Sequence, residues 1–368
     1  MTKNQSTFPA INILRGFAAL MVFMYHSAIF GNWGKIPEEG LWIIWIRGDI
    51  GVDLFFVISG FVISWSALRA YKTHGADFRK DFALRRFWRV APLYFLTCLL
   101  FLILIQPALL TAPWAEGTIN IVSHLLFVHN LHASTHGSIN GVSWSVALEM
   151  QFYLLMLIIT PWLARTRKIG FIFVLVALLA LLYRYITTLI WPPVLTPAIV
   201  QFIYVSQLPG VIDQFSCGIL VAVLLHRNNS FLLHHTASGW KNFAAWVLIS
   251  LPFLATAIYI DQAYKYWEEV PIIVGYRSIV TLSFTAMLLA AISFPWASLH
   301  LLWPLRYLGE ISYGVYLWHM PVMLTLNAKL AHLRGFEFLT YAVVCTLALA
   351  AFTWHWFEKP CIARKGLA

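Results

Sequence analysis

The 368-residue chain is 60% hydrophobic and 11% charged, with a formal net charge of +10. A soluble domain carries about 25% charged residues, so this composition excludes a soluble globular protein and predicts an all-α integral membrane protein. The four cysteines, Cys98, Cys217, Cys345 and Cys361, follow no metal-ligand or disulfide spacing and are read as small packing groups.

The first apolar run, Ile11 to Phe30, has the length of a bilayer-spanning helix. No small-residue cleavage pattern follows it, so it is read as a retained span and not a cleaved signal. About ten spans are expected, near 10–30, 50–69, 90–110, 142–164, 169–190, 206–225, 242–260, 271–292, 310–327 and 337–357. The run Ile119–Val128 is too short to cross and is placed as an extracytoplasmic re-entrant or interfacial piece.

With the N-terminus cytoplasmic, the inside segments hold Lys3, Arg69, Lys72, Arg79, Lys80, Arg85, Arg86, Arg89, Arg165, Arg167, Lys168, Arg227, Lys241, Arg306, Lys359, Arg364 and Lys365, which is 17 cations. The outside loops hold 5: Lys35, Arg47, Lys265, Lys329 and Arg334. This asymmetry follows the positive-inside rule and sets both termini in the cytoplasm. The basic charge is therefore mostly topological and gives no reason to expect nucleic acid. No repeat, low-complexity tract or appended soluble domain is expected; residues 1–368 read as one transmembrane domain.

Ionisable groups inside spans are functional candidates. In the first span Arg15 and His26 stand eleven residues apart, which is about three helical turns and roughly 16 Å on one face. In the second span Asp53 lies at a depth similar to His26, where it either orients the imidazole or caps a helix start, as Asp49 does. Arg85, Arg86 and Arg89 precede the third span and either anchor the topology or grip phosphate. Glu149, two turns into the fourth span, is either an active-site group or half of an ion pair with Arg184, Arg277 or His26. Asp213 in the sixth span, Arg277 in the eighth, and Tyr313 and His319 in the ninth are further polar candidates. Pro321 is expected to kink or loosen the ninth helix. His124, His129, His132 and His136 lack a carboxylate or cysteine partner, so no metal site is expected, and they read as lining a wet surface or contacting a polar substrate.

These motifs together resemble the acyltransferase-3 family of membrane acyltransferases. The matching stretches are Arg15 and His26 with ten residues between them, GVDLFFVISGFVIS at 51–64, RRFWRVAPLY at 85–94, SWSVALEMQFYL at 143–154, IDQFSCGILVA at 212–222 and ISYGVYLWHMP at 311–321. One departure is Ala147-Leu148-Glu149, where the family often shows paired acids. The resemblance implies a bacterial-type inner-membrane enzyme that moves an acyl group, usually acetyl, from cytoplasmic acyl-CoA to a hydroxyl of a surface carbohydrate or glycolipid. Acyl-CoA would be a co-substrate, with no permanently bound cofactor. The resemblance makes Arg15 and His26 the essential pair and implicates the Arg85–Arg89 stretch. On this reading Arg15, Arg85, Arg86 and Arg89 hold the donor, His26 is the general base, and Asp53 or Glu149 orients it. The rival class is a transporter or flippase, whose usual mark of inverted repeats with matching broken helices is not seen in the sequence.

Overall fold

The computed structural model describes residues 8–33, 46–227, 239–293 and 302–363. Lys3, Lys35, Arg364 and Lys365 of the charge count, and both chain termini, lie outside the described residues. Within them every regular element is helical. The helices are α1 (Pro9–Phe30), α2 (Gly51–His74), α3 (Phe78–Leu104), α4 (Trp114–Leu125), α5 (Trp144–Arg165), α6 (Ile169–Ile190), α7 (Ala198–Val205), α8 (Leu208–Arg227), α9 (Gly239–Ala263), α10 (Val270–Ser293), α11 (Trp303–Glu310), α12 (Ser312–Lys329), α13 (Gly335–Thr353) and α14 (Lys359–Ala363).

Eight stretches of the described residues are long and apolar enough to cross a membrane. One of them, Gly48–Leu104, contains two helices, α2 and α3, because the chain turns at Gly75 with φ +57°, a left-handed conformation that glycine adopts without a Cβ clash. The expected ninth span, 310–327, falls on α12, which is not one of the eight. It carries Tyr313, Tyr316, His319, Asn327 and Lys329 in a mostly buried helix. The short run at 119–128 covers the second half of α4 and the turn after it, and the helix's 12 residues rise only about 18 Å and cannot cross the hydrocarbon.

Burial sorts the helices. In α8, 72% of the apolar window is buried, against 17% in α6 and 11% in α9, so α8 is central and the other two face outward. The central contact is α8 against α2. A Cβ on Gly60 would sit 2.2 Å from the Phe215 carbonyl oxygen, and one on Gly218 would sit 2.2 Å from that of Val57. Only the absent side chains let the two backbones touch, as is common where helices pack in lipid. Beside this contact Phe215 stacks on Phe56 and Phe152, with ring centroids 4.7 and 4.3 Å away.

Two buried ion pairs tie α2, α6, α8 and α10 together. Arg184 of α6 donates to Asp213 of α8 at 2.6 Å. Arg277 of α10 donates to Asp53 of α2 at 2.6 Å. Next to Arg277, Ser278 donates to the other oxygen of Asp213 at 2.7 Å. The four helices are thus pinned by charged bonds in a setting where an unpaired charge is costly.

Pro321 does not break α12, which continues to Lys329. Proline lacks the N–H that would bond the carbonyl four residues back, which here is that of Leu317. Asn140 supplies the missing donor, its Nδ2 lying 3.2 Å from the Leu317 oxygen. A side chain from another segment restores the ladder, so the helix stays intact.

Candidate active site

A cleft of about 830 Å³, counting the part open to the surroundings, lies between α1, α2, α3, α5 and α12. Arg15, Arg86, Arg89, Glu149 and Tyr313 all line it. These residues come from four helices that lie far apart in the chain. Arg86 and Arg89 are three apart on α3 and share a face. Arg85, about 100° round the helix from Arg86, is not among the lining residues. The α2 face from Val52 to Ile63 supplies the largest share of the wall, and Arg15 is the α1 residue that reaches it. The polar stripe expected along α1 is therefore not the cleft wall: α1 adds Arg15, α2 adds an apolar face, and the other charged groups come from α3 and α5.

Arg86, Arg89 and Glu149 of the cleft each have a defined neighbour. The Arg86 guanidinium carbon lies over the rings of Phe82 and Tyr153, at 5.4 and 5.8 Å from their centroids. Arg89 lies over Trp354 at 4.9 Å and donates to Glu358 at a loose 3.5 Å. Glu149 accepts from the Tyr153 hydroxyl at 2.6 Å. It pairs with none of the expected partners Arg184, Arg277 or His26, because the first two are committed to Asp213 and Asp53. Tyr313 lines the cleft while donating to the Val90 carbonyl at 2.8 Å. Farther along α12, the Tyr316 hydroxyl bonds Ser145 at 2.7 Å and the Val142 carbonyl at 2.8 Å.

His319 lies one turn beyond Tyr316, with ring centroids 5.7 Å apart, and His319 meets His26. His26 Nδ1 is 2.9 Å from the Val22 carbonyl oxygen and 3.3 Å from His319 Nε2. The expected Asp53–His26 and Glu149–His26 bonds are not formed. Asp53 faces Arg277, and Asp213 faces Arg184, so both carboxylates serve helix packing. The polar partner of the first-span histidine is the ninth-span histidine.

Sequence reasoning passed over Tyr153, Ser145, Tyr316 and Glu358. Glu358 closes a five-residue π turn, Trp354–Glu358, that links α13 to α14. The extra residue per turn rotates its side chain off the face that an α-periodic reading assigns. Glu358 is 3% exposed. The four-histidine tract does not form a wet surface throughout: His124 and His129 are buried and stack 4.0 Å apart. Among the described residues no group of His, Cys, Asp and Glu has metal-binding geometry.

A family model described as an acyltransferase domain matches residues 8–356. YrhL of Bacillus subtilis (strain 168) is 29% identical over 98% of this chain and 55% of its own length. The peptidoglycan O-acetyltransferase OatA of Listeria monocytogenes is 26% identical over 97% of this chain and 56% of its own. The acyltransferase MdmB of Streptomyces mycarofaciens is 34% identical over a shorter stretch, 40% of this chain and 37% of MdmB. The chain thus spans about half the length of the first two relatives. No solved structure matches the chain significantly. The cleft residues Arg15, Arg86, Arg89 and Glu149, and the His26–His319 pair, all fall within the matched region, and the chain belongs to the acyltransferase-3 family.

Proposed function

We propose that this chain is a bacterial inner-membrane O-acetyltransferase. It crosses the bilayer ten times with both termini in the cytoplasm, takes acetyl from cytoplasmic acetyl-CoA and passes it to a hydroxyl of a cell-envelope carbohydrate. The convergence of Arg15, Arg86 and Arg89 on one cleft, with the His26–His319 pair behind Tyr316 of its wall, is the observation that carries this reading. Three guanidiniums in a common space suit the phosphates of CoA, since arginine forks bind phosphate oxygens in pairs. The positive-inside charge pattern supports a cytoplasmic opening for that end of the cleft. The aromatic and aliphatic α2 wall suits a pantetheine arm. The similarity to OatA, a peptidoglycan O-acetyltransferase, supports acetyl as the group and a carbohydrate polymer as the acceptor class.

The chemistry asks little of the protein. His26 Nδ1 is turned to its own helix and to His319, which leaves Nε2 for the substrate. Nε2 takes the proton of the acceptor hydroxyl as its oxygen attacks the thioester carbonyl, a general-base role that contributes about 10²–10⁴-fold. The test is reconstitution in proteoliposomes with labelled acetyl-CoA and a glycan acceptor such as peptidoglycan fragments. Label on the acceptor, recovered as an alkali-labile ester and lost in His26→Ala, is the expected result. A folded His26→Ala variant with full transfer, or substrate movement that needs no acyl-CoA, overturns the reading.

A further inference from the structure

In a hydrolase-like triad a carboxylate stands behind the histidine. Here the position behind His26 is filled by another imidazole. Three contacts define the arrangement: His26 Nδ1 to the Val22 oxygen at 2.9 Å, His26 Nδ1 to His319 Nε2 at 3.3 Å, and His319 Nδ1 to the Val315 oxygen at 3.3 Å. A carbonyl oxygen only accepts, so each Nδ1 that faces one must carry hydrogen. His319 is then an Nδ1–H tautomer whose Nε2 offers a lone pair. His26 is also an Nδ1–H tautomer, and its hydrogen is shared between the Val22 oxygen and that lone pair. The opposite assignment sets a ring lone pair against a carbonyl lone pair at both residues. Every contact is satisfied in one arrangement, and in it His26 Nε2 is unprotonated.

We infer that His319 is the positioning residue of the acyl-transfer site: it fixes His26 as the Nδ1–H tautomer and shares the proton charge that His26 gains. The inference rests on the acyl-transfer reading above. His319 is 1% exposed, so it acts through His26 and touches no substrate. Its ring is held from several sides. Tyr316 packs at 5.7 Å and Phe23 at 6.3 Å between centroids. The Asn140 bond to Leu317 satisfies the carbonyl that Pro321 leaves open in the same stretch of α12.

The proton balance is complete with the two substrates. The acceptor O–H proton moves to His26 Nε2 while the oxygen bonds the thioester carbon. The imidazolium so formed keeps its Nδ1–H pointed at His319 Nε2, which takes part of the charge. When the C–S bond breaks, the electron pair goes to sulfur, and the proton on His26 Nε2 goes with it to give the free thiol. Both rings end neutral. A carboxylate behind His26 would hold a charge inside the membrane throughout the cycle, at high desolvation cost. An imidazole carries charge only while the tetrahedral species exists.

Two substitutions and two measurements test the inference. Leucine at 319 removes the acceptor. Glutamine places an amide oxygen near the position of Nε2 and accepts from His26 but cannot take a proton. In His319→Leu, kcat for acetyl transfer is expected to fall about 10²-fold, with the KM and Kd for acetyl-CoA unchanged. His319→Gln is expected to recover part of that loss. The proton inventory in mixed H₂O and D₂O should report two moving protons in the wild type and one in His319→Gln. Nitrogen shifts from ¹⁵N-histidine-labelled protein in nanodiscs should show His26 protonated at Nδ1 in the wild type and in His319→Gln, and a tautomer mixture in His319→Leu. A folded His319→Leu variant with wild-type kcat, or a wild-type His26 protonated at Nε2, overturns the inference. A wild-type protein that binds acetyl-CoA and transfers nothing overturns the acyl-transfer reading instead, and the nitrogen shifts then decide the histidine pair alone.

Discussion

Arg277 donates to Asp53 at 2.6 Å across 224 residues of chain, and the pair is buried, with relative exposures of 8% and 0%. Arg277 also reaches Asp49 at 3.5 Å and the Tyr266 hydroxyl at 3.1 Å, so its donors are well used. Removing one member of a buried pair strands the other, at a cost of about 3–5 kcal/mol. Arg277→Gln should therefore lower the thermal midpoint in detergent sharply, and Arg277→Gln with Asp53→Asn should lower it less than the single change. A single variant that melts with the wild type would show that the pair contributes nothing to packing.

Which polar residues share a site was only partly readable from sequence, and the reason is geometric. A span's ends fix the depth of each residue in the membrane. They do not fix the rotation of the helix about its own axis. His26 and Asp53 are expected at similar depth, yet Asp53 turns to α10 and His26 to α12. Arg86, Arg89 and Glu149 share one cleft; residues three apart share a helix face, and ionisable groups inside a span turn away from lipid, so part of that grouping is readable from spacing. Glu358 escaped because a π turn shifts the register by one residue, which no hydrophobic period reveals. The helices themselves, and the shortness of α4, were legible because length and composition determine them.

The Asn140–Leu317 bond makes its own forecast. Asn140→Ala leaves the Leu317 carbonyl buried and unpaired, which costs about 1–3 kcal/mol. Alanine at 321 restores the backbone N–H that proline lacks, so Pro321→Ala placed on Asn140→Ala should return most of that stability. Thermal unfolding of the two single variants and the double gives the coupling directly. Additive losses would mean that Asn140 does not serve the proline gap.

Acid should weaken the His124–His129 network. His129 is fully buried, bonded to Ser143 at 3.1 Å and Tyr94 at 3.3 Å. Burial, with the neighbouring His124 adding to it, pushes His129 down from 6.5 to about 3. Burial likewise pushes His124 down to about 4. Both are neutral in the folded protein, while the unfolded chain takes up protons below about 6.5. The unfolded state therefore binds more protons, and stability falls as pH drops from about 6.5 toward about 3. Unfolding followed between pH 7.5 and 4.5 should show this slope, and His129→Gln should make it shallower. An unchanged slope in the variant would place the acid sensitivity elsewhere.

The Arg89–Glu358 contact bears on donor binding. At 3.5 Å, with Glu358 3% exposed and its Oε1 without a hydrogen-bond partner, the pair is loosely made for so buried a carboxylate. A donor phosphate entering the cleft would compete with Glu358 for Arg89. Arg86→Ala removes a guanidinium that Glu358 does not engage, so it should weaken acetyl-CoA binding about tenfold or more, given about 1.5–3 kcal/mol for a charged hydrogen bond. Glu358→Gln removes the competing charge and should tighten binding several-fold. Titration of acetyl-CoA into protein in nanodiscs at two salt concentrations measures both effects, and screening should reduce the gap between the variants. An unchanged dissociation constant in Arg86→Ala would return the α3 arginines to topology alone. Weaker binding in Glu358→Gln would instead make Glu358 a support that aims Arg89 at the donor.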